Sequence, residues 1–357
     1  MKPILFSIVF PTYGVEKYIR DAIEDILSQT YRNFELIIVD DKSPDGSAAI
    51  ASEYTENDNR VRLIRLPINS GVSMARNKGL EEAKGDYILF LDPDDRFEPD
   101  LLEKVAAAID SNHPEVVLYS LTEDYYKPNG EKVYSILHFV PSRYYSSANE
   151  VRKDLMIFEE ETLYGYPWNK AYSLPFLREI KVKFQKIFHI EDILFNIDVF
   201  YHVNTLFTLE DRLAHYRNVM RDRRDTRLTE RHMDDYFELQ MKRVRALYQQ
   251  QEDFKTLDNN ALRVLSDEYM RSFASSMERS IFDKRPKIEI ISKAEEEKNS
   301  FLFKALSASF EPKGRGMKYL LAPIAEGDME KAYKRAKNVS FVRRHMPGLF
   351  NRLKQER

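Results

Sequence analysis

The stretch YILFLDPDDRF, Tyr87 to Phe97, runs five mostly apolar residues straight into Asp92, Asp94 and Asp95. A short apolar run that ends in a polar turn reads as a buried strand. Three carboxylates at the end of such a strand repel one another unless something positive sits among them. A divalent cation meets that need, because oxygen ligands suit Mg2+ and Mn2+. Taken alone, the stretch has a plainer reading: an acidic loop ahead of a helix that begins near Pro99.

The pattern alternates on both sides of this strand. ILFSIVF (4–10), ELIIVD (35–40), VRLIRL (61–66) and EVVLYSL (115–121) read as further strands. EKYIRDAIEDILSQ (16–29), SAAIASEYTE (47–56), VSMARNKGLEEA (72–83) and PDLLEKVAAAID (99–110) read as helices between them. Repeated strand–helix–strand units imply an α/β fold, Rossmann-like, with a mostly parallel central sheet. Ligands of such sheets bind outside the carboxyl ends of the strands. Pro11-Thr12-Tyr13, Asp40-Asp41 and the aspartate cluster all fall at strand ends and so share one rim.

The 357 residues suit one large domain plus a further unit, and 43% hydrophobic content suffices for a real core. A net charge of −3 argues against a dedicated nucleic-acid binder, and the absence of cysteine excludes disulfides, thiolate catalysis and cysteine metal sites. The N-terminal apolar run is short and enters a Pro-Thr-Tyr-Gly turn, so it is expected to be a strand rather than a signal peptide. No run approaches the roughly 18 apolar residues that cross a bilayer. The pattern turns aromatic and irregular after about 121 and helical after about 228. The expected organisation is therefore 1–121, 122–227 and a helical C-terminal region, 228–357, with a basic tail.

SIVFPTYG, AIEDILSQTYRNFELIIVDDKSPDGS, NSGVSMARNKGLEEAKGDYILFLDPDD and the later HIED follow one another in this order. Together they closely resemble glycosyltransferase family 2, inverting enzymes with the A-type nucleotide-sugar fold. The resemblance covers 1–121 closely, 122–225 loosely, and not the C-terminal third. It implies that Pro11, Thr12 and Tyr13 lie against the base and ribose, that Asp41 reads the base edge, and that Arg76 contacts the base or phosphates. It implies that Asp92 and Asp94 are the Asp-x-Asp pair, with Asp94 on Mn2+ or Mg2+ and Asp92 on the ribose or the metal shell. Pro93 departs from the commoner small polar residue and stiffens the loop.

An inverting transfer also needs a carboxylate to take the acceptor's proton. In HIEDILF the resemblance points to Asp192 as the base, supported by Glu191, against the plainer reading of an acidic helix start. Arg217 and Arg221, in HYRNVMRDRRDTR, are candidates for the diphosphate, since arginine binds phosphate bidentately; a solvated charge run is the alternative. Trp168, Asn169 and Lys170 are the acceptor-side candidates, because the WNK pattern recurs in the family near the acceptor cleft. The expected activity is metal-dependent hexosyl or N-acetylhexosaminyl transfer from a nucleotide-diphosphate donor, a UDP-sugar first. The acceptor would be a glycan, lipid-linked or wall polymer, or glycoprotein.

The expected location is cytoplasmic, peripheral at the inner face of the membrane. The basic tail from about 331 is read as touching a membrane surface, a homo-oligomer partner or its own protein. Two other classes compete. A haloacid-dehalogenase-type phosphotransferase wants its Asp-x-Asp after the first strand, followed by threonine. A receiver-like module wants its acidic pair after the first strand and about 120 residues in all.

Overall fold

A computed structural model describes residues 3–219, 236–312 and 314–345, with the side chains of 315 and 343–345 outside the description. The chain forms two compact units, Met1–Arg221 and Asp222–Arg357.

The first unit is built on a ten-stranded sheet. Its first half is parallel: β1 (Phe6–Thr12), β2 (Phe34–Asp40), β3 (Val61–Arg65) and β4 (Tyr87–Phe90) stand in the order β3-β2-β1-β4. The connecting helices are α1 (Ile19–Leu27), α2 (Ser47–Asn57) and α3 (Val72–Glu82). All seven β1 residues are buried, as befits a strand covered on both faces. Pro11 is tolerated there because β1 pairs with β4 only through Val9, so no ladder bond is lost beyond it. Since β1 leads outward to β2 and β3 but is flanked by β4 on its other side, the order reverses between β1 and β4. A crevice opens at such a reversal, at the strands' carboxyl ends.

The second half makes the sheet mixed rather than mostly parallel. After β5 (Arg96–Phe97) and α4 (Leu101–Asn112) come β6 (Val116–Tyr126), β7 (Lys132–His138) and β8 (Arg143–Tyr145). Then follow α5 (Ala148–Glu160), β9 (Lys170–Ser173), α6 (Leu174–Ile180), α7 (Glu191–Phe200) and β10 (Leu206–Val219). β9 lies antiparallel between β4 and β6, and β10 runs parallel to β6 and antiparallel to β5. The antiparallel course of β9 brings its start, just after Trp168, to the rim where β4 ends.

Within α3, Gly79 has a specific task. A Cβ there would lie 2.2 Å from Val9 Cγ1, so only glycine lets α3 rest directly on β1. That contact sets the height of Arg76, one turn earlier.

The second unit is helical: α8 (Tyr236–Phe254), α9 (Asn259–Phe282), α10 (Lys287–Lys298), α11 (Phe301–Ser307), α12 (Gly314–Ala325) and α13 (Met329–His345). Asp258 caps α9 by accepting from Ala261 N at 2.8 Å, and Ser300 caps α11 by accepting from Phe303 N at 3.0 Å. The rings of Phe237, Tyr269 and Phe303 meet Phe273 edge to face in its core.

Candidate active site

The ARNKG segment of α3 organises the rim. Arg76 is buried, with its guanidinium bonded to Asp192 through Nη1 and to Asp92 Oδ1 through Nη2 at 3.0 Å. One cation thus joins the end of β4 to the start of α7. Burial would drive the Arg76 proton off, but Asp192 and Asp92 hold it on, and its pKa is raised. Next to it, Asn77 exchanges two hydrogen bonds with the Phe184 backbone, donating to its O at 2.8 Å and accepting from its N at 2.9 Å. Phe184 stacks on Phe195 of α7, ring centroids 3.9 Å apart, and lies 5.3 Å beneath the Arg76 guanidinium. Both residues tie α3 to the segment that carries Asp192. The resemblance implies a contact of Arg76 with the base or phosphates; among the described residues its guanidinium pairs with two carboxylates.

Burial pushes the Asp192 carboxyl up to about 7, with Glu191 and Asp92 adding repulsion and Arg76 opposing. Its Oδ1 is taken by Arg76, while its side chain is 24% exposed and Oδ2 has no bonded partner among the described residues. Glu191 is more enclosed: burial raises its pKa too, and its Oε2 is buried without a hydrogen-bond partner. Ahead of the helix, His189 takes φ 82°, the left-handed region that non-glycine residues rarely enter.

The three aspartates after β4 differ in kind. Asp92 pairs with Arg76. Asp95 is buried; its Oδ1 accepts the Arg217 backbone N–H at 2.8 Å, which staples β4's end to β10, and its Oδ2 has no hydrogen-bond partner. Asp94 reaches solvent and has no ion pair among the described residues. Crowding by surrounding protein and then the Asp92 charge push its carboxyl up to about 6. A carboxylate disfavoured in this way is one a cation would stabilise, and an all-oxygen donor set fits Mg2+ or Mn2+. Among the described residues no three acidic or histidine side chains converge as a complete metal cage. A cation at Asp94 would therefore need ligands beyond the protein, such as phosphate oxygens and water.

Arg217 stands beside this cluster. Its guanidinium lies 5.2 Å from the Tyr18 ring and 5.3 Å from the Tyr126 ring, and its charge acts on both Asp94 and Asp95. Arg221 lies outside the described residues.

At the far side of the crevice, Pro11 and Thr12 are buried and Tyr13 is 42% exposed, so the tyrosine alone of the three offers its side chain to a ligand. Asp41 accepts from the backbone N–H of Ser70 and of Gly71, both at 2.7 Å. It fixes the loop into α3, with both carboxylate oxygens engaged by that loop. Its neighbour Asp40 is fully buried, with Oδ2 lacking a hydrogen bond and Arg65 Nε at 3.6 Å.

The WNK segment corrects its reading. Asn169 and Lys170 are fully buried. Lys170 Nζ donates to the carbonyls of Leu163 (2.7 Å), Tyr164 (3.0 Å) and Tyr166 (2.6 Å) and to Asn169 Oδ1 (2.9 Å). Burial lowers its pKa well below the ordinary range, against the pull of Glu159 and Asp192. These side chains clamp the 163–166 loop and have no surface to give an acceptor. Asn196, one turn along α7 from Asp192, donates to Gly165 O at 3.0 Å and fastens the same loop to the helix that carries Asp192. Trp168, 3% exposed, is sandwiched between Tyr166 (centroids 5.0 Å) and Tyr216 (5.4 Å). The two tyrosines are each 37% exposed, so theirs are the accessible rings. Burial, Tyr166 and the three aspartates all raise the Tyr216 hydroxyl's pKa.

Comparison with known proteins bears on the family and the fold. The family model described as Glycosyl transferase family 2 matches residues 7–174. EpsH of Bacillus subtilis (strain 168), which carries a glycosyltransferase name, is 32% identical over 216 residues, 59% of this chain and 60% of EpsH. TarS of Staphylococcus aureus (strain Mu50), a poly(ribitol-phosphate) beta-N-acetylglucosaminyltransferase, is 28% identical over 215 residues, 59% of this chain and 35% of TarS. The matches thus span less than two thirds of these relatives' own length. Among solved structures, S. aureus TarS 1–349 in complex with UDP-GlcNAc superposes with a TM-score of 0.63 at 21% identity, covering 94% of this chain and 91% of that one. A mannosyltransferase of Pyrobaculum calidifontis in complex with GDP-Man and Mn2+ superposes with a TM-score of 0.50 at 14% identity, covering 97% and 88%.

Proposed function

We propose that this chain, whose residues 7–174 match the Glycosyl transferase family 2 model, moves a sugar, with inversion, from a UDP-sugar to a hydroxyl of a cell-surface polymer. N-acetylglucosamine is the first candidate sugar and a polyol-phosphate wall polymer the first candidate acceptor, by analogy with the donor bound to TarS and with its name. The observation that carries this reading is the Arg76 bridge, which holds Asp192 at a set distance from the Asp92–Asp94 pair.

Asp192 Oδ2 takes the proton of the acceptor hydroxyl as that oxygen attacks the anomeric carbon. The bond to the diphosphate breaks with its electron pair leaving on UDP, and displacement from the opposite face inverts the centre. Arg76 fixes the Asp192 carboxylate in position and keeps enough of it ionised near neutral pH to act as a base. Arg217, held between two tyrosine rings, presents its charge to the departing diphosphate. Asp94, with Asp92 beside it, would hold a divalent cation, which would supply further charge neutralisation there. Tyr13 lies against the base, and Tyr166 and Tyr216 offer ring faces to the acceptor sugar.

Titration calorimetry with UDP, with and without Mn2+, tests the donor half of this reading. UDP binding that tightens with Mn2+ is expected. Absence of nucleotide-diphosphate binding under both conditions overturns it.

A further inference from the structure

The charge of this protein is concentrated at one end. From Lys313 to Arg357 the sequence carries twelve Lys and Arg against four Asp and Glu, in a chain whose net charge is −3. Part of that excess lies on the outer face of the α12–α13 pair. The inner face is apolar and buried, through Leu320, Leu321 and Ile324 on α12 and Met329, Ala332 and Ala336 on α13. On the outer face Lys334, Lys337 and Phe341 fall at i, i+3 and i+7, which makes one stripe along α13. Lys318 and Tyr319 are exposed on α12, and Tyr319 is tied to the stripe's neighbours. Arg335 lies 4.6 Å over its ring, and Asn338 donates to its hydroxyl at 3.2 Å.

Two other lysines beside this pair of helices are neutralised: Lys331 pairs with Glu326 at 3.5 Å and Lys287 with Glu330 at 2.8 Å. Among the described residues Lys318, Lys334 and Lys337 have no carboxylate partner. Two aromatics stand among them, Tyr319 at 44% and Phe341 at 58% exposure.

We infer that this face of α12–α13 docks the protein on an anionic membrane surface. Uncompensated lysines attract acidic headgroups, and aromatic rings on the same face enter the boundary between headgroups and acyl chains. A polyanion without an apolar layer would use the lysines and leave the rings in water. The face lies on the membrane and does not cross it: no helix of the described residues is long and apolar enough to span one.

Cosedimentation of the full chain with lipid vesicles tests the proposal. Binding is expected to vesicles of phosphatidylglycerol and phosphatidylcholine in equal parts, not to phosphatidylcholine alone, and to weaken as salt is raised. The triple variant Lys318→Glu, Lys334→Glu, Lys337→Glu should lose about 100-fold or more in vesicle partitioning, from about fivefold per lysine. Phe341→Ser should lose several-fold, with the loss persisting at high salt. Both variants should keep the wild-type melting temperature and UDP affinity, which separates this face from the nucleotide site. Equal binding to both vesicle types, no binding to either, or undiminished binding by the triple variant overturns the proposal. Self-association that the triple variant abolishes, in place of vesicle binding, also overturns it and makes the face a protein interface.

Discussion

Replacing Arg76 with methionine removes the one cation that Asp92 and Asp192 share among the described residues, while keeping most of the side chain's bulk. Two unit charges about 4 Å apart at an effective dielectric of about 20 interact by about 4 kcal/mol, or about three pKa units. The Asp192 side chain is 24% exposed, so solvent screens part of this and about two units is the working figure. Asp192 begins at about 7, raised by burial. A base acts only when ionised, so wild-type transfer should fall as pH drops through about 7. In Arg76→Met that acid limb should move up to about 9, and transfer at pH 7 should fall about 50-fold. Much of the loss should return when the assay is run at alkaline pH. Arg76→Lys keeps a charge but not the two-pronged fork, and should shift the limb by about one unit. The assay is UDP release against pH at saturating Mn2+, with melting curves to confirm folding. An acid limb unmoved in Arg76→Met, with activity lost equally at every pH, would refute the argument that Arg76 sets the ionisation of Asp192.

Three further outcomes follow from the same geometry. Asp94→Ala should abolish the tightening of UDP binding by Mn2+ expected in calorimetry, and metal-independent tight binding would count against Asp94 as the cation's ligand. Lys170→Met should destabilise the fold by about 3–5 kcal/mol, because it strips buried carbonyls of their donor; denaturation followed by fluorescence of Trp168, the single tryptophan, reads both the loss and the loosened aromatic sandwich. Gly79→Ala should cost about 1–3 kcal/mol by forcing α3 off Val9. It should also lower transfer more than UDP binding, since Arg76 moves with the helix; unchanged stability would mean that α3 has room to shift.

The parallel half of the fold was legible because its strands and helices carry clean periodicities, and β1, β2, β4 and α3 fall within two residues of their expected bounds. The antiparallel half was not. β9 is four residues long, and β10 reads LFTLEDRLAHYRNV, a charged run that only pairing with β6 makes into a strand. Placing the acidic pair Asp40-Asp41 after β2 and the Asp-x-Asp after β4 fits neither the receiver nor the phosphotransferase alternative, each of which wants its aspartates after the first strand.

At the site, sequence named Asp92, Asp192 and Arg76 but not their connection, because Arg76 and Asp192 are 116 positions apart and no local pattern links them. Lys170 was misread for the opposite reason. Lysine is ordinarily a surface residue, and nothing in WNK announces that its ammonium is sealed among carbonyls. Asn77 and Asn196 were missed because a single amide carries no periodicity. The helical pattern over 72–83 was the only available hint that Asn77 and Arg76 sit side by side on α3.

The most direct test of the account compares UDP-sugar turnover by wild type and Asp192→Asn, with UDP and Mn2+ binding measured on the same preparations. The substitution keeps the shape and the contact with Arg76 while removing the group that accepts the proton. Turnover should fall by about a thousandfold or more, with UDP affinity within a few-fold of wild type. Near-wild-type turnover by Asp192→Asn would contradict the assignment of the base, and with it the role given to the Arg76 bridge.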